Sequence, residues 1–117
     1  MVTTVLIVDD QPSFRSSARR VLDDAGYDVV GEASDGASAL TVAMELRPAV
    51  VLLDVHLPDL DGFEVASRLT NDVEPPAVVL TSIHDRSDFA GMIEASGARG
   101  FLPKSELSGP AFAALLR

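Results

Sequence analysis

Asp9 and Asp10 follow the apolar run Val5-Leu6-Ile7-Val8, Asp54 follows Val50-Val51-Leu52-Leu53, and Lys104 follows Phe101-Leu102-Pro103. An unbroken apolar run reads as a buried parallel strand. In an open α/β sheet the ligand site lies beyond the carboxyl ends of such strands. Carboxylates and an ammonium delivered together to that edge make a site for a divalent cation and a phosphoryl group. One Asp at the start of a helix is explained by the helix dipole, which contributes about 0.3–1 kcal/mol. Two adjacent ones repel and need a counter-charge. Magnesium suits them, because it takes one or two carboxylates, several waters and phosphate oxygens. Asp54 ends an apolar strand, where a carboxylate is costly unless it is paired or used. It serves either as a turn or capping residue or as a nucleophile toward phosphorus, giving an acyl phosphate. Lys104, an unremarkable loop lysine by itself, can ion-pair with this cluster and grip a phosphoryl oxygen. Thr81 and Ser82 close a further strand, and since neighbours on a strand point to opposite faces, at most one of them aims into the site.

These residues need a scaffold, and five strand-then-helix units supply it. The apolar patterning predicts strands over Thr4–Val8, Tyr27–Gly31, Ala49–Leu53, 77 to 81 or 82, and 100–102. Helices are predicted over Pro12–Ala25, Ala37–Leu46, Gly62–Asn71, Arg86–Ser96 and from Ser108 onward. Phe14, Ala18, Val21 and Leu22 form the inner face of the first helix, and Ala39, Leu40, Ala43, Met44 and Leu46 that of the second. Gly26 stops the first helix, Arg47-Pro48 the second, and Asp61 caps the third. The fourth helix is the least apolar. Pro110 suits the first turn of the fifth. Charged Asp28 and Glu32 flank the second strand, which is therefore expected at a sheet edge. Alternating strands and helices imply a parallel sheet with helices on both faces and right-handed crossovers. Five strands give the flavodoxin-like order 2-1-3-4-5, which sets the first and third strands side by side, so that Asp9, Asp10 and Asp54 converge.

Composition narrows the partners. The 117 residues suffice for one domain, 1–117, with one core. With 18 acidic and 9 basic residues the formal net charge is −9, which argues against direct nucleic-acid binding and suits a cation or a basic protein surface. No cysteine is present, which excludes disulfides and thiol chemistry. No apolar run approaches the roughly 20 residues of a membrane span, and the first residues lack a basic leader. A cytoplasmic location is expected.

The segments Leu6-Ile7-Val8-Asp9-Asp10, Val51 to Gly62 and Ser96 to Lys104 resemble, in this order and spacing, the receiver domain of two-component response regulators. The resemblance covers essentially the whole chain. It implies that Asp54 is the phospho-acceptor, taking its phosphoryl group from the phosphohistidine of a sensor histidine kinase or a phosphotransfer protein. It implies a magnesium ion held directly by Asp10, through water by Asp9, and by Asp54 and the backbone carbonyl of His56. Counting back from Gly97 and Lys104 places the family's switch hydroxyl at Ser82 rather than Thr81, and the switch aromatic at Phe101. His56 and His84 stand two residues after the acceptor and the switch hydroxyl, where the family tunes phosphoryl lifetime. Where the family often has Pro after the lysine with a cis bond, Ser105 follows here. A cis bond before Ser costs about 2.5–4 kcal/mol, which leaves this loop's geometry open. The expected output is a change of contacts on the face formed by the fourth helix, fifth strand and fifth helix, toward a homodimer or a target protein, either stand-alone or as part of a larger transcriptional regulator.

Two rival readings weigh against this one. A small aspartyl-phosphate phosphohydrolase usually carries a second Asp two residues after its nucleophile, and His56 stands there. A degenerate, unphosphorylated interaction domain has no use for the full set Asp9, Asp10, Asp54, Ser82 and Lys104. The chain is therefore expected to be a signalling domain that catalyses only its own phosphorylation and dephosphorylation.

Overall fold

Period-two alternation along the apolar strands feeds two separate cores. Leu6, Val8, Val51, Leu53, Val78, Leu80 and Phe101 face one way, while Val5, Ile7, Val50, Leu52, Val79 and Leu102 face the other. The computed structural model describes residues 2–117. Its elements are β1 (Thr4–Val8), α1 (Pro12–Asp24), β2 (Asp28–Ala33), α2 (Gly36–Leu46), β3 (Val50–Asp54), α3 (Gly62–Thr70), β4 (Ala77–Ser82), a 3₁₀ turn (Arg86–Phe89), α4 (Met92–Ala95), β5 (Gly100–Pro103), a second 3₁₀ turn (Lys104–Glu106) and α5 (Gly109–Leu115). All strand pairs are parallel and the sheet runs β2-β1-β3-β4-β5, the flavodoxin-like order.

Each face of the sheet is covered by the helices its apolar residues require. Ala18 and Leu22 of α1 and Phe112 of α5 close one core, and Tyr27 meets Phe112 edge-on at 5.1 Å between ring centroids. Ala39 and Ala43 of α2, Val65, Ala66 and Leu69 of α3, and Phe89 and Ile93 from the segment after β4 close the other. Burying each large aliphatic side chain contributes roughly 1.5–3 kcal/mol, so the central strands β1, β3 and β4 anchor the fold and hold their carboxyl ends rigidly.

Caps mark the helix starts nearest the site. Asp61 accepts from Phe63 N at 2.7 Å and starts α3. Ser108 accepts from Ala111 N and starts α5. Gly62 has to be a glycine, since a Cβ there would lie 2.6 Å from Val55 Cα. Its N–H donates to Val55 O at 2.8 Å, which closes the β3–α3 loop at its base.

Four sequence expectations need correction. β2 runs to Ala33 rather than Gly31, because Glu32 stays inside the edge strand, where Arg15 and Arg19 pair with it. Met44 is 73% exposed and does not line the inner face of α2, whereas Leu46, though 43% exposed, lays its Cδ1 against Gly31 of β2. Met44 lies about 100° around the helix from buried Ala43. The helix expected over Arg86–Ser96 is broken into a 3₁₀ turn and the single turn α4, with Ala90 between them at φ 46°. Only Phe89 and Ile93 of that stretch bury large apolar side chains, too narrow a stripe to hold a continuous helix. α2 begins at Gly36, one residue early, because Asp35 accepts from Ser38 N and caps it. Among the described residues no peptide bond is cis, and no helix is long and apolar enough to cross a membrane.

Candidate functional site

Adjacent parallel strands β1 and β3 end level, with Val8 beside Leu53. The next residues are therefore delivered to one rim. Asp9, Asp10 and Asp54 each place a carboxylate oxygen there, all within 4.8 Å of one another. Asp9 and Asp54 are buried, at 0% and 4% exposure, while Asp10 is open to solvent. Asp9 is fixed from three sides. Its N–H donates to Ala33 O at 3.0 Å, its Oδ1 accepts from Gln11 N at 2.8 Å, and its carbonyl accepts from Arg15 at 2.6 Å. Asp54 Oδ1 accepts from His56 N at 3.1 Å.

Lys104 reaches in from the end of β5. Its Nζ lies 2.7 Å from Asp9 Oδ2, 3.3 Å from Asp54 Oδ2 and 4.5 Å from the centre of the Phe14 ring. Asp9 Oδ2 is buried and faces the Lys104 ammonium as its close partner. Three carboxylates against one ammonium leave an excess of two negative charges. A hard divalent cation fits that excess and the all-oxygen donor set. The acidic cluster can therefore hold a metal ion.

The electrostatics follow from the geometry. Burial pushes the Asp54 carboxyl up to about 6, reinforced by the negative Asp9 and opposed by the His56 N–H and Lys104. Burial by itself would lower Lys104, but the hydrogen-bonding and charge of Asp9 and Asp54 outweigh it and hold the ammonium above its usual range. A cavity of about 310 Å³, lined by Asp10, Asp54, His56, His84 and Lys104 among others, opens over the carboxylates to solvent.

Thr81 and Ser82 fall on opposite faces of β4. Thr81 stands beside Asp54 in register, and its Oγ1 is buried without a hydrogen-bond partner. Ser82 stands beside Pro103, fully buried, and its Oγ accepts from His84 N at 3.0 Å. Neither hydroxyl bonds to Asp54 among the described residues. Phe101 is 6% exposed, packed against Phe89 with ring centroids 5.6 Å apart. The His56 and His84 rings meet edge-on at 5.4 Å, and both lie beside Phe89.

Several supporting residues escaped the sequence reading. Arg15 and Arg19 grip Glu32 at 2.9 Å each, a clamp between α1 and β2. Asp59, in the β3–α3 loop, binds backbone at the start of α2. Arg15 and Arg19 lie one helical turn apart, which is a visible signal. The Asp59 contact spans 23 residues and leaves no local trace.

The profile described as "Response regulator receiver domain" matches residues 5–111. The positive alginate biosynthesis regulatory protein of Pseudomonas aeruginosa is 43% identical over 102 residues, 86% of this chain and 40% of that protein. The NarL signal receiver domain from Mycobacterium tuberculosis superposes with a TM-score of 0.88 at 36% identity, covering 98% of this chain and 94% of that one. The chemotaxis response regulator CheY4 of Vibrio cholerae superposes with a TM-score of 0.84 at 29% identity, covering 99% and 97%. The chain spans about half, or less, of the length of the curated relatives it matches.

Proposed function

Because the chain belongs to the response regulator receiver domains of two-component systems, we propose that it is a switch that carries a phosphoryl group on Asp54 of this sequence. The donor is the phosphohistidine of a sensor histidine kinase or phosphotransfer protein. The Asp54 oxygen attacks phosphorus, an acyl phosphate bond forms, and the P–N bond breaks with its electron pair leaving on the imidazole. Water later hydrolyses the acyl phosphate. The domain turns over no separate substrate, and its setting is the cytoplasm.

The observation that carries this reading is the convergence of Asp9, Asp10, Asp54 and Lys104 on one rim. Asp10, Asp54 and the His56 carbonyl would hold Mg²⁺, with Asp9 acting through water. When bound, the ion neutralises charge on the phosphoryl oxygens. Lys104 contributes the opposite clamp. It releases one carboxylate contact and takes a phosphoryl oxygen, so the ammonium offsets part of the negative charge that the incoming group adds. The His56 N–H already faces Asp54 Oδ1 and orients the nucleophile.

Ser82 is the hydroxyl that reports the phosphoryl group, and Phe101, on the neighbouring strand, is the aromatic that follows it. The changed surface is the α4-β5-α5 face. Its contacts are with a second copy, a target protein or an effector domain, while the acidic chain itself does not bind nucleic acid.

Incubation with Mg²⁺ and acetyl phosphate, followed by intact mass, tests the reading. The native chain should gain one phosphoryl group and Asp54→Asn none. Equal labelling of both, or labelling indifferent to chelation of the metal, would overturn it.

A further inference from the structure

The carboxylate of Asp59 takes no part in the phosphoryl site, yet it is heavily committed. Its Oδ1 accepts from Gly36 N at 2.7 Å and its Oδ2 from Ala37 N at 2.9 Å. These are the first two N–H groups of α2. The third, on Ser38, is taken by Asp35. The start of a helix leaves such donors unpaired and partly positive, so a carboxylate there is held by charge as well as by hydrogen bonds. These backbone donors keep the Asp59 carboxyl below its ordinary range.

The contact joins two elements that nothing local would join. Asp59 belongs to the β3–α3 loop, which also carries His56, whereas Gly36 follows β2. Side chains enforce the same docking. A Cβ on Gly36 would come 2.8 Å from Leu60 Cβ, so a glycine is needed for the loop to lie this close. A closed circuit results. Asp9 N–H bonds Ala33 O at the end of β2, two residues before Asp35 and α2. Asp59 ties α2 to the loop, the loop's His56 N–H bonds Asp54, and Lys104 bridges Asp54 back to Asp9. The circuit runs through Asp9 and Asp54 and includes the loop segment whose His56 N–H faces Asp54. At its base the loop is fixed by Gly62 and Val55, and at its tip Asp59 supplies the carboxylate strut.

We infer that Asp59 is a positioning residue, a strut that docks the acceptor loop on the start of α2 and so sets the geometry that the loop backbone offers to a cation beside Asp10 and Asp54. The inference rests on the proposed function. Partners one layer out from a metal typically change its affinity by about 10-fold or more when removed.

Thermal melts of the native chain, Asp59→Ala and Asp59→Asn across a Mg²⁺ series test it, alongside acetyl phosphate labelling at low and saturating Mg²⁺. Asp59→Ala should raise the half-saturating Mg²⁺ about 10-fold, while labelling at saturating Mg²⁺ stays close to native. Asp59→Asn keeps one acceptor oxygen and should recover part of the loss. A melt lowered equally at every Mg²⁺ concentration, with the half-point unmoved, would mean that Asp59 only stabilises the fold and would overturn the inference. If Asp59→Ala does not fold, an unmoved half-point in Asp59→Asn overturns it and a raised one supports it. A native chain whose melt ignores Mg²⁺ would remove the reading of the site itself, and this inference with it.

Discussion

Lys104 Nζ sits nearer to Asp9 Oδ2, at 2.7 Å, than to Asp54 Oδ2, at 3.3 Å. The ammonium is therefore anchored on the fully buried carboxylate and leans toward Asp54. Removing it strands two buried carboxylates. Lys104→Met should destabilise the fold by roughly 1–3 kcal/mol near neutral pH, because a buried charge that loses its partner keeps its desolvation cost. It should also slow labelling by acetyl phosphate. Urea melts and initial labelling rates check this, and a variant as stable as the native chain would contradict it.

Much of this site could be read from order alone. Val5–Val8 and Val50–Leu53 are apolar without a break, and such runs have one home, the middle of a parallel sheet. Their first polar residues then had to meet at the rim. The broken helix after β4 could not be read, because Arg86–Ser96 has weak helical patterning and the kink at Ala90 depends on how Phe89 packs between Phe63 and Phe101. The Arg15-Glu32-Arg19 clamp and the Asp59 strut depend on which elements lie side by side, information that no local window contains.

Asp54→Asn should stabilise the metal-free protein at pH 7. The folded pKa of Asp54, about 6, exceeds the ordinary 3.8, so its ionised form is disfavoured by folding. The sign follows from linkage: the penalty is full above about 6, shrinks as pH falls through that value, and is gone below about 4. With allowance for solvent screening, removing the charge is expected to gain roughly 1–2 kcal/mol at pH 7. Denaturant melts of both proteins at pH 4, 5, 6 and 7 check this. A gain independent of pH, or a loss at pH 7, would show that burial of the charge is not the cause.

Mg²⁺ should raise the melting temperature of the native chain, since a ligand that binds only the folded state stabilises it by about 2.7 kcal/mol at 100 times its Kd. Protons compete for the same carboxylate, so the half-saturating Mg²⁺ should climb as pH falls below about 6, where Asp54 takes up its proton. Asp10→Asn should weaken the response most directly, because exposed Asp10 offers a free carboxylate oxygen to the ion. Calorimetric titration at pH 5 and 7.5 measures both effects. Affinity unchanged by pH, or by the loss of Asp10, would place the ion elsewhere.

The two hydroxyls that end β4 should separate cleanly. Thr81 Oγ1 is buried without a partner, whereas Ser82 Oγ accepts from the backbone of the loop that carries His84. A buried hydroxyl without a hydrogen bond costs about 1–3 kcal/mol in lost hydration. Thr81→Val keeps the shape and removes that cost, so its stability should equal or exceed the native value, with labelling of Asp54 unaltered. Ser82→Ala removes an acceptor in use. It frees the His84 N–H, loosens the loop over the cavity, and should slow labelling while costing about 1 kcal/mol. Paired urea melts and acetyl phosphate kinetics on the two variants decide the matter. If Thr81→Val impairs labelling and Ser82→Ala does not, the switch hydroxyl belongs to Thr81, on the face of β4 that it shares with Val79, and the assignment made by spacing from Lys104 is wrong.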